Sequence, residues 1–236
     1  SSKKEKLSPF SDAVASKTIQ TAAFCDGARA LGLLRGPVLI VAPKSTVPNW
    51  SAELRTWCPT LDCVTYVGGK ASREALKKVD FPFPSGPTRE ASSWRRSGGG
   101  SFTDVVLTNY EVVMADASAF RTVRWGAVIV DEGHRLKNQN SQLTQTLLSL
   151  RCPWRCLLTG TPLQNNVDDL FSYFRFLRYE PYGDAASFRT LIKEPIRVDP
   201  ASGFRRLQAI LRAVMLRRTK QSRINGAPIV RLPPRT

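Results

Sequence analysis

Five short apolar runs, each ending in small or polar residues, constrain this chain more than any other feature. They are VLIVAP (38–43), CVTYVGG (63–69), DVVLTNY (104–110), AVIVDE (127–132) and RCLLTGT (155–161). Their lengths and β-branched content are those of buried strands. Helical patterns fall between them, at 17–31, 48–57, 71–78 and 141–150. A strand that is apolar along its whole length needs cover on both faces, unlike one that alternates apolar and polar residues. The alternation of such strands with helices predicts an α/β fold, a parallel sheet with helices on both faces. Ligands of open α/β sheets bind outside the carboxyl ends of the strands. In this sequence the acids, glycines and threonines gather at those ends.

Two segments depart from the alternation. FPFPSGPTREASSWRRSGGGS (81–101) is rich in Pro, Gly and Ser and reads as a flexible insertion. Beyond 163 the pattern turns helical and predicts a C-terminal extension over 163–220. VDDLFSYFRFLRYEPYGD puts Leu170, Phe171, Phe174 and Leu177 along one face, and FRRLQAILRAVMLRRTK puts Phe204, Leu207, Leu211, Val214 and Met215 on a stripe among arginines.

The net charge of +16 favours a polyanionic partner, nucleic acid before membrane. Part of that charge is concentrated, since residues 201–236 hold nine Lys or Arg and no acid. No apolar run is long enough to cross a bilayer. The opening SSKKEKLSPF has charge without an apolar core, so it does not read as a secretory signal, and an intracellular protein is expected. Cys25, Cys58, Cys63, Cys152 and Cys156 are irregularly spaced and lack a second ligand pair. Most of them read as buried thiols rather than as a disulfide framework or a zinc site.

The strand AVIV runs directly into Asp131 and Glu132. Two adjacent acids at a strand tip repel each other unless a cation or a substrate holds them there. One use for such a pair is phosphoryl chemistry, in which the Asp binds hydrated Mg2+ and the Glu orients a water. A structural salt-bridging pair is the plainer alternative. Thr159, Gly160 and Thr161 at the next strand tip add small groups able to sense a phosphate. A phosphate cradle would come before the first helix, where SDAVASKTIQ supplies Lys17 and Thr18 but has Val14 and Ser16 in place of glycines.

The order SKTIQ, VLIVAPKSTVPNWSAEL, VVLTNYE, VIVDEGHRLKN, LLTGTPLQNNVDDLFSYFRFL, VMLRRTK resembles the Swi/Snf-related ATPases, DNA translocases of helicase superfamily two. The resemblance covers nearly the whole chain apart from the first ten residues and the insertion. DEGH, FLRYEPYGD and APIVRLPPR look most like the subgroup that holds the helicase-like transcription factor and post-replication-repair translocases. The fold this implies is one RecA-like lobe over 11–236, with 1–10 as a non-matching tail and the second lobe absent.

The resemblance also implies roles. Lys17, Thr18 and Gln20 would bind ATP, with Thr18 and Asp131 on Mg2+. Glu132 would be the catalytic carboxylate. His134, Thr159, Gly160 and Thr161 would couple hydrolysis to DNA grip. Pro43, Lys44 and Ser45, with Thr108, Asn109 and Tyr110, would lie along the DNA backbone, although Lys44 reads equally well as a solvated surface charge. Implied partners are double-stranded DNA or chromatin and a second lobe carrying arginine fingers, and the implied location is the nucleus. With no cradle glycines and no second lobe, the isolated chain is expected to hydrolyse ATP poorly. The rival reading is a pseudo-ATPase that keeps the fold and the basic surface as a DNA- or chromatin-binding module.

Overall fold

The computed structural model describes residues 17–79, 103–160, 167–216, 223–224 and 227–228. The opening tail, the insertion 81–101 and Thr161 lie outside these residues. The expected parallel sheet forms. Its strands are β1 (Val38–Ala42), β2 (Cys63–Tyr66), β3 (Val105–Asn109), β4 (Ala127–Val130) and β5 (Trp154–Leu157), in the order β2-β3-β1-β4-β5. All four neighbouring pairs are parallel.

Helices cover both faces because successive strand side chains point to opposite sides. One face carries Val38, Ile40, Ala42, Leu107 and Ile129 against α1 (Lys17–Ala30) and α2 (Val47–Trp57), through Ala22, Cys25, Val47, Trp50 and Leu54. The other carries Leu39, Val41, Tyr66, Val106, Val128 and Val130. These pack on α4 (Tyr110–Ala115), α5 (Ala117–Thr122) and α6 (Gln142–Leu148), through Val113, Phe120 and Leu147. Between β2 and β3 lies α3 (Lys70–Val79). Its Arg73 pairs with Asp116 at 2.8 Å, and Asp116 also accepts the Tyr66 hydroxyl at 2.6 Å. Burial pulls the Asp116 carboxyl upward, but the bonds from Arg73 and Tyr66 outweigh it and hold the group below its ordinary range.

The helical extension also forms. It contains α7 (Asp168–Leu177), α8 (Ala185–Phe188), a π turn (Arg189–Lys193), α9 (Glu194–Val198) and α10 (Pro200–Val214), around Leu170, Phe174, Phe188, Ile192, Leu207 and Leu211. The described part of the chain ends in a two-residue pairing of β6 (Arg223–Ile224) with β7 (Ala227–Pro228). Two details differ from the expected stripes. Phe204 and Val214 are exposed, because the buried ridge of α10 runs through Gly203, Leu207 and Leu211. On α7, Leu177 leaves the stripe of Leu170, Phe171 and Phe174 and packs beside Phe176 against the sheet cluster.

Arg155 joins the sheet to the extension. Its guanidinium donates to the carbonyls of Leu150 (2.9 Å), Leu148 (3.2 Å), Phe176 (3.3 Å) and Leu147 (3.4 Å), and lies over the Phe176 ring at 5.2 Å. These carbonyls terminate α6 and α7, where a helix leaves acceptors without intrahelical partners. Burial pushes the guanidinium down to about 10. Of the cysteines, Cys25, Cys58 and Cys152 are buried, Cys63 is half-buried and Cys156 is exposed. Burial, the main cause, together with neighbouring charges pushes the Cys25 thiol up to about 12. No helix among the described residues is long and apolar enough to cross a membrane.

Candidate functional site

After β1 the chain moves outward to β2, and after β4 it moves the other way to β5. That change of direction falls between β1 and β4, and ligands of such sheets bind beyond the carboxyl ends of the strands at such a point. Asp131 and Glu132 stand at the tip of β4. Asp131 N–H donates to the Val41 carbonyl at 2.9 Å, extending the sheet by one bond. Glu132 then takes a left-handed conformation, φ 52° and ψ 54°, which is uncommon for a residue with a side chain. It turns the chain into the short helix Gly133–Leu136. Gly133 packs under this turn. Its N–H donates to the Leu158 carbonyl at 2.8 Å, and an added Cβ would sit 3.4 Å from the Leu157 side chain.

Leu158 N–H in turn donates to the Val130 carbonyl, so Thr159 and Gly160 leave β5 directly beside the two acids. Lys17 opens α1 and its Nζ reaches this edge, 3.7 Å from where a Gly160 side chain would begin. Thr18 is half-buried and Gln20 exposed on the same helix. His134 Nδ1 lies 3.1 Å from Glu132 Oε2, and both side chains are about two-fifths exposed (42% and 41%). Lys17, Asp131, Glu132, Thr159 and Gly160 therefore meet at one edge of the sheet.

The segments expected to face DNA divide into two kinds. After β1, Lys44 and Ser45 are exposed and Pro43 is half-buried. The Pro43 carbonyl accepts Thr46 N–H and Val47 N–H, closing the turn into α2. After β3 the side chains point inward. Thr108 donates its hydroxyl to the Tyr66 carbonyl at 2.7 Å, and Asn109 Oδ1 caps α4 by accepting Val112 N–H at 2.9 Å. The Tyr110 hydroxyl donates to the Asp131 carbonyl. All three are buried, so the structure gives them positioning contacts and no solvent-facing side chain. Burial, and next the Asp131 charge, pushes the Tyr110 phenol above its ordinary value. Arg135 lies over the Tyr110 ring at 5.2 Å.

Sequence reasoning missed Trp50. Its indole N–H donates to Asp131 Oδ2 at 2.9 Å, while Oδ1 accepts Glu132 N–H at 2.9 Å. A tryptophan on the apolar face of a helix reads as core, and only the packing of α2 against β4 shows the second duty. Also missed were the ties that hold the loop after the acids to α7. Lys137 pairs with Asp169 at 2.9 Å, Ser172 donates to the Lys137 carbonyl at 2.7 Å, and Arg175 donates to Gln139 at 3.2 Å.

The donor set suits Mg2+. Each Asp131 oxygen accepts one bond and keeps a lone pair, and Mg2+ is usually held by one or two carboxylates with water and phosphate completing its shell. Among the described residues no three His, Cys, Asp or Glu side chains form a metal cage.

The fold is that of a RecA-like lobe. Within that class the chain belongs to the SNF2-related family, since residues 10–234 match the SNF2-related domain. The Chromodomain-helicase-DNA-binding protein 3 homolog of Caenorhabditis elegans is 36% identical over 215 residues, 90% of this chain and 12% of that protein. Mouse Chromodomain-helicase-DNA-binding protein 6 is 37% identical over 204 residues, 86% of this chain and 7% of that protein. Among solved structures, a Sulfolobus solfataricus SWI2/SNF2 ATPase core in complex with double-stranded DNA matches with a TM-score of 0.67 and 27% identity, over 90% of this chain and 40% of that one. The chain thus spans about a tenth of the length of these curated relatives. These matches show the family. They do not support the narrower repair subgroup that the DEGH and APIVRLPPR segments resemble.

Proposed function

We propose that this chain is the ATP-binding lobe of a double-stranded-DNA-dependent ATPase and translocase that acts on chromatin in the nucleus. The observation that carries the reading is the meeting of Lys17, Asp131, Glu132, Thr159 and Gly160 at one carboxyl edge. In it Lys17 neutralises phosphate charge, Asp131 and Thr18 hold Mg2+, and Glu132 orients the attacking water. Mg2+ held by Asp131 and Thr18 would supply positive charge against the phosphate charge developing there. Gln20 and the Thr161 segment serve the nucleotide and the coupling step by resemblance. The His134–Glu132 contact gives the coupling role a physical route, since a shift of His134 changes what Glu132 can orient. Lys44 and Ser45 supply exposed contacts to a DNA backbone, while Thr108, Asn109 and Tyr110 shape that surface from behind. Chromatin is favoured over repair because the relatives above are chromodomain-helicase proteins. The second reading, a binding module without turnover, rests on Val14 and Ser16, whose side chains would crowd a phosphate cradle.

The test joins this lobe to a second RecA-like lobe and introduces Val14→Gly with Ser16→Gly. Binding of a fluorescent ATP analogue and phosphate release are then followed with and without duplex DNA. In that background Glu132→Gln should keep ATP and lose hydrolysis by about 10²-fold or more. Lys17→Ala should lose both. No ATP binding by the restored protein, or full hydrolysis by Glu132→Gln, would sink the assignment. DNA binding should be sequence-independent, with a salt slope of about −0.9 for each phosphate contacted. An affinity that stays flat as salt rises contradicts the proposed surface.

A further inference from the structure

The polar atoms of Asp131 are all engaged. Its N–H donates to Val41, Oδ2 accepts Trp50 Nε1 at 2.9 Å, Oδ1 accepts Glu132 N–H at 2.9 Å, and its carbonyl accepts the Tyr110 hydroxyl. Trp50 and Tyr110 are each 1% exposed, so both donors are withdrawn from water while Asp131 itself is half-buried. An indole N–H is a donor only. Held in the core of α2, it fixes the direction Oδ2 must face. It also carries no charge. A Lys or Arg in its place would orient the carboxylate equally well, but would cancel the negative charge that a divalent cation needs. Carboxylates that ligate metals are themselves hydrogen-bonded, and those outer bonds tune metal affinity.

We propose that Trp50 is a positioning residue for a divalent cation on Asp131, with Tyr110 fixing the backbone beneath that carboxylate. This rests on the reading of Asp131 as the cation ligand. The arrangement has a mechanical side. Trp50 belongs to the helix that follows the Pro43–Ser45 turn, and Tyr110 opens the helix that follows β3. The Thr108–Tyr110 segment is therefore bonded directly to the cation ligand, and the Pro43–Ser45 turn is linked to it through the helix that follows. Displacing either helix moves Asp131, and by reciprocity a cation on Asp131 biases both helices.

The test uses the 236-residue chain with Mn2+ alone as a paramagnetic stand-in for Mg2+. The chain has five tryptophans, and the Trp50 indole N–H resonance is identified by its loss in Trp50→Phe. In the native chain that resonance should broaden at lower Mn2+ than those of Trp57 and Trp125. Trp50→Phe should weaken Mn2+ binding about 10-fold. Trp125→Phe is the control. Trp125 is also 1% exposed and its N–H donates to the Phe120 carbonyl at 2.9 Å, so its loss should lower stability and leave Mn2+ affinity unchanged. If Trp50→Phe does not fold, Tyr110→Phe, which removes one hydroxyl, must weaken Mn2+ binding instead. Native Mn2+ affinity in the folded Trp50→Phe protein, or a Trp50 resonance that Mn2+ leaves sharp while binding elsewhere is seen, overturns the positioning role. Equal Mn2+ binding by native and Asp131→Asn proteins overturns the cation reading itself, and the positioning role with it.

Discussion

Replacing Arg155 with methionine keeps most of the aliphatic stem and removes the guanidinium that ties β5 to the ends of α6 and α7. Two of its four carbonyl bonds have good lengths, 2.9 Å to Leu150 and 3.2 Å to Leu148. A hydrogen bond to a charged group contributes about 1.5 kcal/mol at the low end, so these two amount to about 3 kcal/mol. The bonds to Phe176 (3.3 Å) and Leu147 (3.4 Å) are long and add little. Against this stands the cost of burying the cation, the same burial that pushes its pKa down to about 10. Relief of that cost returns part of the loss, and the net expectation is about 2 kcal/mol of destabilisation. Urea unfolding reads it directly. With a slope of about 2 kcal/mol per molar, the midpoint should fall by about 1 M. Amide exchange should speed first at the C-terminal turns of α6 and α7, whose carbonyls lose their donor. Arg155→Lys should recover less than half the loss, because an ammonium cannot fork across four carbonyls. A midpoint for Arg155→Met within about 0.3 M of native, or full recovery by lysine, would show that the guanidinium does not hold these helix ends.

Two further perturbations probe stability elsewhere. The Asp116 carboxyl titrates below its unfolded value, so its contribution is present above the ordinary carboxylate range and is lost as pH falls through the folded value. Asp116→Asn should lower the thermal midpoint at pH 7 and flatten its fall below about pH 4, and an unchanged acid limb would contradict this. At Gly203 an added Cβ would lie 2.5 Å from Ile196 Cα and 2.6 Å from Ile196 N, backbone atoms that cannot step aside. Gly203→Ala should therefore cost about 1–3 kcal/mol by forcing α9 and α10 apart. Thermal melting would show it, and a variant as stable as native would mean the two helices do not pack this closely.

The sheet was legible because its central strands β1 and β4 are apolar along their whole length and fully buried, while the edge strands β2 and β5 carry Thr65 and Arg155. Only buried parallel strands call for that pattern, and all five runs became strands with their ends trimmed by a few residues. Short elements were not legible. α4 and α5 have six residues each, too few to display a helical period, so the β3–β4 connection gave no signal. At the site, the order of motifs and the resemblance it carries pointed to Asp131, Glu132, Lys17, Thr159 and Gly160, since each of these residue types has commoner uses when taken alone. It could not show which way a side chain faces. Thr108, Asn109 and Tyr110 look like a polar loop and are in fact turned into the protein. Trp50 looks like core and is core, yet its one polar atom meets the cation ligand. Contacts of this kind depend on the distance between elements far apart in sequence, which no local pattern records.

The parallel pairing of the sheet also governs how the chain reaches its native state. Val38 pairs with Val105 on one side and with Ala127 on the other. The central strand therefore has no neighbour nearby in sequence, and no hairpin exists within the five-stranded sheet to start its assembly. Chains dominated by such distant pairings collapse quickly but register slowly, over milliseconds to seconds. The stretch 81–101, which reads in the sequence as an insertion, falls between β2 and β3 along the chain. Closure entropy grows only with the logarithm of loop length, about 0.6 kcal/mol for each doubling. An insertion at that position therefore burdens the search for the native pairing modestly and barely touches the finished sheet, which makes the β2–β3 connection a tolerant place for sequence to accumulate.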